Sequence, residues 1–318
     1  MLALPMAAPA QPAAKVHRIG MLSLVSSSTF RNLPNVNAFF DGLNHLGYVE
    51  GKNLVVEVRF SDGKLERLAD LAVELVALKP DVIWVPVCGA PLDAAKRATR
   101  TIPIVVATCT SDMVAAGVVA SLARPGGNVT GQQGLAPELS AKRLELLKQM
   151  IPAAARVAVL WDPGYSDFAA DWLALRSAAQ VLSVTLLPIE ARGPAEFDAA
   201  FAAMARQGAQ ALIPLQDANT YLHAQRLVDL AAHSRIPAIY PYRENSNAGG
   251  LMSYGIDVVA LWRHSATFID RILKGAKAGD LPVEQPTRFE MIINLKTAKA
   301  LGVTIPQALR LRADQVIE

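Results

Sequence analysis

Cysteine is scarce in this chain, because Cys88 and Cys109 are the only two among 318 residues. A disulfide-dense scaffold is therefore excluded, and the two residues have neither CxxC spacing nor the spacing of a metal-ligand set. The five histidines show no metal-ligand spacing either, and the chain lacks HExxH, GxSxG and GxxxxGKS/T motifs. The residues thus give no positive sign of a metal, a cofactor or a catalytic centre. A catalytic set assembled from distant segments would leave no local motif, so an enzyme remains an alternative.

Long apolar runs and clustered charge are also missing. No run reaches the roughly 20 apolar residues that a membrane-spanning helix needs. The net charge is +3, and the basic residues are spread along the chain without the stripe that nucleic-acid binding requires. With 52% hydrophobic and 19% charged residues, a chain of this length can bury a large core, and its length favours two domains.

From Val16 onward, short apolar runs alternate with helical patterns, which is typical of βα units and a mostly parallel sheet. The strands predicted for the first half are 18–24, 54–60, 82–85, 104–107 and 128–130, with helices at 39–46, 65–78, 92–99 and 114–122. The second half repeats the scheme, with strands at 157–160, 184–189, 211–213 and 238–240 and helices at 168–182, 197–206 and 221–234. The pattern predicts an α/β protein with doubly wound sheets.

Several long motifs follow one another in a distinctive order. They are GYVEGKN at 47–53, SLARPGGNVTG at 121–131, GGLMSYG at 249–255, LPVEQP at 281–286 and NLKTAKALG at 294–302. In this order they closely resemble the substrate-binding proteins of bacterial ABC importers, in the family that contains tryptophan- and tyrosine-type binders. The resemblance covers nearly the whole chain. It implies a type I periplasmic-binding-protein fold, with two Rossmann-like lobes around a cleft.

The same resemblance implies a function in binding without catalysis. A small amino-acid-like ligand, including an aromatic one, would bind between the lobes of a monomeric periplasmic receptor and pass to a membrane permease, with no cofactor and no nucleic acid. A ligand-sensing domain of a regulator or sensor system is the alternative. A DNA-binding regulator would need a helix-turn-helix ahead of Val16, which fifteen Ala/Pro-rich residues cannot supply.

The domain boundaries follow from the resemblance and from clusters of Gly and Pro. Residues 1–15 are predicted to be a residual signal peptide or a disordered leader. The N-terminal lobe is predicted to comprise 16–132 and about 252–284, and the C-terminal lobe 133–251 and about 285–318. The chain would cross between lobes near 130–136, 247–254 and 282–289, where Gly and Pro allow hinge rotation.

Doubly wound sheets bind ligands outside the carboxyl ends of their strands, so residues that follow strands are the candidates. In the first lobe these are Ser26, Ser27, Cys88, Gly89, Ala90, Ser111 and Asp112. Hydroxyls such as that of Ser26 suit a ligand carboxylate, and Asp112 suits a ligand ammonium, but capping of the next helix needs the same residue types. The two cysteines end adjacent strands, and we expect two buried thiols, with a disulfide as the alternative.

The second lobe and its crossing contribute a further set of candidates. These are Asp162, Tyr165, Gln216, Asp217, Tyr242, Arg243, Ser253, Tyr254 and Asp257. Aromatic rings at strand ends can enclose a flat apolar ligand body. Arg243 can pair with a ligand carboxylate or form a surface ion pair. Trp84, inside a strand, and the helix at 262–273 are predicted to serve lobe packing.

Overall fold

The computed structural model describes residues 15–164 and 168–318. Residues 1–14 of the leader predicted at 1–15 and the candidate Tyr165 lie outside these ranges. Within them, none of the helices combines the length and the apolar composition that crossing a bilayer would require.

The first sheet consists of parallel strands from the first half of the chain. They are β1 (His17–Ser23), β2 (Leu54–Phe60), β3 (Val82–Val87), β4 (Ile104–Cys109) and β5 (Val129–Gln133), in the order β2-β1-β3-β4-β5. The helices between them are α1 (Ser27–Phe30), α2 (Pro34–His45), α3 (Leu68–Ala77) and α4 (Ala90–Ala98). The central strands β3 and β4 are almost entirely apolar because helices cover both faces of the sheet.

A second set of strands forms two adjoining sheets. β6 (Arg156–Trp161), β7 (Thr185–Glu190) and β8 (Ala211–Pro214) have the order β7-β6-β8, while β9 (Ile239–Tyr240), β10 (Met252–Gly255), β11 (Glu290–Asn294) and β12 (Gln315–Ile317) have the order β12-β11-β10-β9. An isolated parallel bridge between Leu212 and Ala238 connects these sheets, and β10 and β11 are antiparallel.

Helices cover these sheets and return to the first one. They are α5 (Ala136–Met150), α6 (Phe168–Leu182), α7 (Phe197–Arg206), α8 (Ala218–Leu222), α9 (Ala224–His233), α10 (Arg243–Asn247), α11 (Val258–Leu273), α12 (Leu295–Leu301) and α13 (Gln307–Arg310). α11 packs on α2 and on β3, β4 and β5. Gly42 permits this contact, because a Cβ atom there would lie 2.6 Å from the carbonyl oxygen of Arg263.

We therefore define the first lobe as the five-stranded sheet with α1–α4 and α11, and the second lobe as the other two sheets with the remaining helices. The predicted fold class, two doubly wound α/β lobes, is confirmed. At two points the sheets differ from the predicted division of the chain. Residues 252–255 pair with β9 and β11 and so lie in the second lobe, and Gln133 ends β5 in the first.

The helix predicted at 114–122 is wrong, because this segment forms turns. The Asp112 carboxylate accepts hydrogen bonds from the backbone N–H groups of Val114, at 2.8 Å, and Ala115, at 3.1 Å. The following turn ends at Gly117, whose φ is 64°. A left-handed residue interrupts the helical hydrogen-bond ladder, so the Ala and Val composition of the segment does not produce a helix.

Candidate ligand-binding site

A cavity of about 130 Å³ lies between the lobes, outside the carboxyl ends of β1, β3 and β4. The first lobe lines it with Leu22, Ser23, Leu24, Val25, Phe30, Leu33, Asn35, Pro86, Val87, Cys88, Pro91, Thr108, Thr110, Val258 and Trp262. The second lobe adds Gln216, Asp217, Ala218, Tyr221, Leu222 and Tyr242 from the segments after β8 and β9. Any molecule bound here touches both lobes.

Aromatic rings form much of the wall. Tyr221 and Tyr242 meet edge to face with their centroids 5.2 Å apart. The indole N–H of Trp262 donates to the hydroxyl oxygen of Thr108 at 3.1 Å, which fixes the ring from α11 against the end of β4. Such rings offer a large apolar contact area at little cost in side-chain freedom, so the wall suits a flat apolar ligand body.

Asp217 supplies a charged group to this apolar wall. Its side chain is 7% exposed and caps α8, where Oδ1 accepts the backbone N–H of Thr220 at 2.7 Å. Burial raises the pKa of Asp217 to about 7, although the hydrogen bonds that it accepts act in the opposite direction. The carboxyl group is therefore poised to gain a negative charge when a cationic partner enters.

Two side-chain amides lie in the same cavity. Asn35 is 2% exposed, and its Oδ1 accepts no hydrogen bond from the described residues. Gln216 is 3% exposed, and its Oε1 accepts from Nη2 of Arg143 at 3.3 Å. A buried acceptor without a donor is costly, so the Asn35 oxygen is a place where a ligand N–H would be stabilised.

Arg143 lies behind the cavity and is fully buried. Its Nε donates to the carbonyl oxygen of Tyr254 at 2.8 Å and its Nη1 to the hydroxyl of Ser140 at 3.3 Å, besides the bond to Gln216. Desolvation lowers the pKa of Arg143 to about 10, while the nearby carboxylate of Asp171 favours the charged form. Arg143 was not selected from the sequence. The signal that could have identified it is a charged residue on the otherwise mostly apolar buried face of α5.

The two cysteines form a disulfide, so the expectation of two buried thiols is wrong. Val87 pairs with Thr108 in the register of β3 and β4, which places the residues that follow side by side. The Cα atoms of Cys88 and Cys109 are 4.8 Å apart, well within the range that a disulfide can bridge. The bond joins the ends of two strands at the wall of the cavity.

The structure brings four of the predicted candidates together at the cavity: Cys88, Gln216, Asp217 and Tyr242. Ser26 lies beside the lining residue Val25, but its hydroxyl caps α1 by accepting the N–H of Thr29 at 3.3 Å. Ser27 begins that helix, and Gly89 and Ala90 lie between the lining residues Cys88 and Pro91.

Ser111 and Asp112 line a second cavity of about 580 Å³ that adjoins the first. Thr110 lines both cavities. Glu138 and Asp171 contribute to the second cavity from the opposite side.

The remaining candidates make contacts within the protein. Asp162 is buried and accepts hydrogen bonds from the Gly164 N–H at 2.7 Å and from the Asn219 side chain, and its pKa is raised by burial. Arg243 pairs with Glu290 at 3.2 Å, and Asp257 caps α11. Ser253 and Tyr254 lie in β10. A ligand contact by any of these residues stays a prediction.

Helices contribute several of the lining residues that were not selected from the sequence. Phe30, Leu33 and Asn35 come from α1 and the start of α2, and Trp262 comes from α11. Their places depend on how the helices pack, and α11 reaches the cavity only after the chain has returned from the second lobe. In the part of the chain that the structure describes, no group of His, Cys, Asp and Glu is arranged to hold a metal ion.

Comparison with known proteins establishes the family. The family model described as ABC transporter substrate binding protein matches residues 18–317. The chain belongs to this family. Its members bind solutes and are not enzymes, which settles the enzyme alternative left open by the motifs.

Individual relatives share both sequence and architecture. The tyrosine-binding protein of Clostridioides difficile (strain R20291) is 27% identical over 304 residues, which cover 95% of this chain and 84% of that protein. The structure of an ABC domain from Streptococcus pneumoniae in complex with L-Trp is 25% identical, with a TM-score of 0.85 over 95% of this chain and 100% of that one.

A third relative also shares the fold. The ligand-free, open structure of a substrate-binding protein with adhesive properties from Clostridium difficile is 24% identical, with a TM-score of 0.67 over 95% of this chain and 99% of that one.

Replacement of Arg143 by Met should destabilise the fold. The substitution leaves the buried Asp171 and Ser140 without their cationic neighbour, and removal of one member of a buried charge network costs about 3–5 kcal/mol. Urea unfolding measures this loss. Lys142→Met, at a half-exposed position of the same helix, is the control and should change stability by less than about 1 kcal/mol. Equal effects of the two substitutions would contradict a structural role of Arg143.

Removal of the disulfide should also lower the free energy of unfolding by a measurable amount. The bond closes a loop with a sequence separation of 21, for which chain entropy predicts a contribution of about 3 kcal/mol. The double variant Cys88→Ser, Cys109→Ser should lose this stability and become insensitive to reductant, whereas reductant should destabilise the unmodified protein. Two titratable thiols in the unreduced, denatured protein would show that the bond is absent.

Proposed function

We propose that this chain is the extracytoplasmic receptor of an ABC importer, which binds an amino-acid-like ligand, including an aromatic one, between its lobes and delivers it to a membrane permease. One observation carries the proposal: aromatic rings from both lobes surround a buried carboxyl group in a single cavity. The tyrosine-binding relative and the L-Trp complex support the ligand class. Membership of the family supports the permease as the partner.

The cavity offers one set of residues for the aromatic side chain of such a ligand and another for its ammonium group. The rings of Tyr221, Tyr242 and Trp262 can pack against an aromatic side chain. Asp217 and the unpaired Asn35 oxygen can accept hydrogen bonds from an ammonium group, which has three donors. Charge-assisted hydrogen bonds in a partly dry cavity are worth about 1.5–3 kcal/mol each.

The mechanism is a shift between lobe arrangements. A ligand that touches both lobes binds the closed arrangement more tightly than the open one, and it stabilises closure by this difference in affinity. The closed surface is then what the permease would recognise. Within the second lobe, Arg143 bonds both Gln216 at the cavity and the Tyr254 carbonyl in β10, so it holds the cavity residue in place relative to the strand that precedes the crossing to α11.

We also propose a division of the chain into two lobes and a cellular location. The first lobe would comprise residues 16–133 and about 256–284, and the second lobe the intervening and final segments. Glu284 still pairs with Gln132 of β5, so the last crossing would follow it. A monomer in the periplasm, exported by a signal peptide, is the form that the proposed function requires.

A thermal-shift screen of refolded, ligand-stripped protein tests the ligand class. L-Tryptophan, L-tyrosine, L-phenylalanine and branched amino acids would be compared with small carboxylates and purines. A ligand at 100 times its dissociation constant should stabilise the protein by about 2.7 kcal/mol, and we expect this for at least one aromatic amino acid. Stabilisation by purines or carboxylates alone would contradict an amino-acid-like ligand.

The affinity for an aromatic amino acid should depend on pH through Asp217. Burial raises the pKa of Asp217 to about 7, so this group is mostly neutral at pH 6 and mostly ionised at pH 8. Because the ammonium pairs with the ionised form, the affinity should rise about tenfold between these values and binding near pH 6 should release a proton.

Calorimetry in buffers of different ionisation enthalpy measures this proton release. Asp217→Asn keeps a residue that can cap α8 but cannot ionise, so it should abolish the pH dependence. Asp70→Asn makes the same change at an exposed position in the first turn of α3 and should retain it. A flat pH profile of the unmodified protein would exclude Asp217 as the partner of the ammonium.

A further inference from the structure

Among the described residues, the charged side chains that line the two cavities all have one sign. Among the described residues that line the 130 Å³ cavity, Asp217 is the charged one. The adjoining cavity carries Asp112, Glu138 and Asp171. Neither set of described lining residues includes a lysine, an arginine or a histidine.

We propose that the cleft selects cationic primary amines with an aromatic body, and that it does not require the carboxylate of an amino acid. This inference rests on the proposed function, because it concerns the ligand of the same cavity. It goes further by assigning recognition to the ammonium and the ring alone. Aromatic amines without a carboxylate are therefore expected as ligands.

The acceptors for the ammonium are already in place. Asn35 is 2% exposed, and its side-chain oxygen lacks a hydrogen-bond donor among the described residues. Asp217 lies in the same cavity from the opposite lobe. An ammonium group between them would satisfy a buried acceptor and neutralise a buried carboxylate, which water-depleted surroundings make strongly favourable.

A carboxylate would find neutral donors in the same cavity but no cationic side chain among its described lining residues. The lining residues Pro86 and Pro91 have no N–H to offer, and Cys88 has no thiol because it is bonded to Cys109. The start of α2 offers backbone donors near Asn35, but Pro34 removes one of them, and a helix end provides only a partial charge. Burial of a carboxylate without a full cationic partner is costly.

The buried cation behind the cavity is not available to pair with a ligand carboxylate. Arg143 is fully buried behind Gln216 and donates to three protein acceptors, namely the Tyr254 carbonyl, the Ser140 hydroxyl and the Gln216 side chain. Its charge also lies close to the carboxylate of Asp171. It therefore positions Gln216 and does not line the cavity itself.

The second cavity, whose charged lining residues are acidic, also favours a cationic ligand. Thr110 lines both cavities, and the carboxylates of Asp112 and Glu138 make the electrostatic potential beside the ligand cavity more negative. A groove with charge of one sign raises the local concentration of ligands of the opposite sign. A monocationic amine is attracted by this field, whereas a zwitterion of the same size experiences a smaller net attraction.

Isothermal titration at pH 8 with two matched series tests the inference. The indole series is tryptamine, L-tryptophan and indole-3-propionate; the phenol series is tyramine, L-tyrosine and 3-(4-hydroxyphenyl)propionate. In at least one series, the amine should bind as tightly as the amino acid or more tightly. The acid that lacks the amine should bind about 10- to 100-fold more weakly, which corresponds to the loss of charge-assisted hydrogen bonds.

The outcomes separate the inference from the proposed function. If the amino acids bind and are at least tenfold tighter than both amines, the carboxylate is required and the inference is overturned, while the proposed function stands. If the acids without an amine bind best, both are overturned. If none of the six compounds binds, the aromatic ligand class fails and the inference fails with it.

A charge-neutral variant provides the second measurement. Asp217→Asn retains a capping side chain for α8 and removes the carboxylate, so it should weaken tryptamine or tyramine binding at least tenfold in a protein that remains folded by circular dichroism. Asp70→Asn removes one acidic charge at an exposed site outside both cavities and should leave the affinity unchanged. Undiminished amine binding by Asp217→Asn would overturn the inference.

Discussion

A fully buried guanidinium group joins three segments of the second lobe: α5, β10 and the segment after β8. Arg143 reaches from α5 to the carbonyl of Tyr254, which precedes the crossing into the first lobe, and to Gln216, which faces the cavity. A buried cation is tolerated only when its donors are satisfied and its charge is balanced, and here Ser140, Gln216, Tyr254 and Asp171 provide these conditions. The position of β10 relative to α5 is therefore fixed at the base of the cleft.

The remaining geometry follows from the direction of the strands. All the strands of the first lobe are parallel, so their carboxyl ends and the starts of their helices meet at one edge of the sheet. The segments after β8 and β9 present the equivalent edge of the second lobe to the same cavity. The disulfide between Cys88 and Cys109 then holds two of these strand ends at a fixed separation.

The sequence predicts most of the strands because their signals are local. The apolar runs that form β1 to β4 mark their strands directly, and Gln216 and Asp217, which follow a strand, line the cavity. Asn35 and Trp262 could not be found in this way, because their positions depend on the packing of α2 and α11.

Two incorrect predictions show what the local signals miss. The segment at 114–122 has helical composition, but Asp112 and Gly117 impose turns on it. The disulfide depends on the register of β3 and β4, and pairing of Val87 with Thr108 is a tertiary property that the spacing of the cysteines does not reveal. Both errors concern conformations that neighbouring segments decide.

The composition of the cavity indicates which ligand differences it can distinguish. Apolar walls discriminate weakly, because an added or missing methylene group changes binding by only about 1–3 kcal/mol. Buried polar groups discriminate more strongly, since a ligand without the matching donor leaves them unpaired. In the proposed binding mode, the rings of Tyr221, Tyr242 and Trp262 would contribute affinity for a broad class of flat molecules. Asp217 and Asn35 would restrict that class to molecules with a hydrogen-bond donor at one end, so recognition of the amine would be stricter than recognition of the ring.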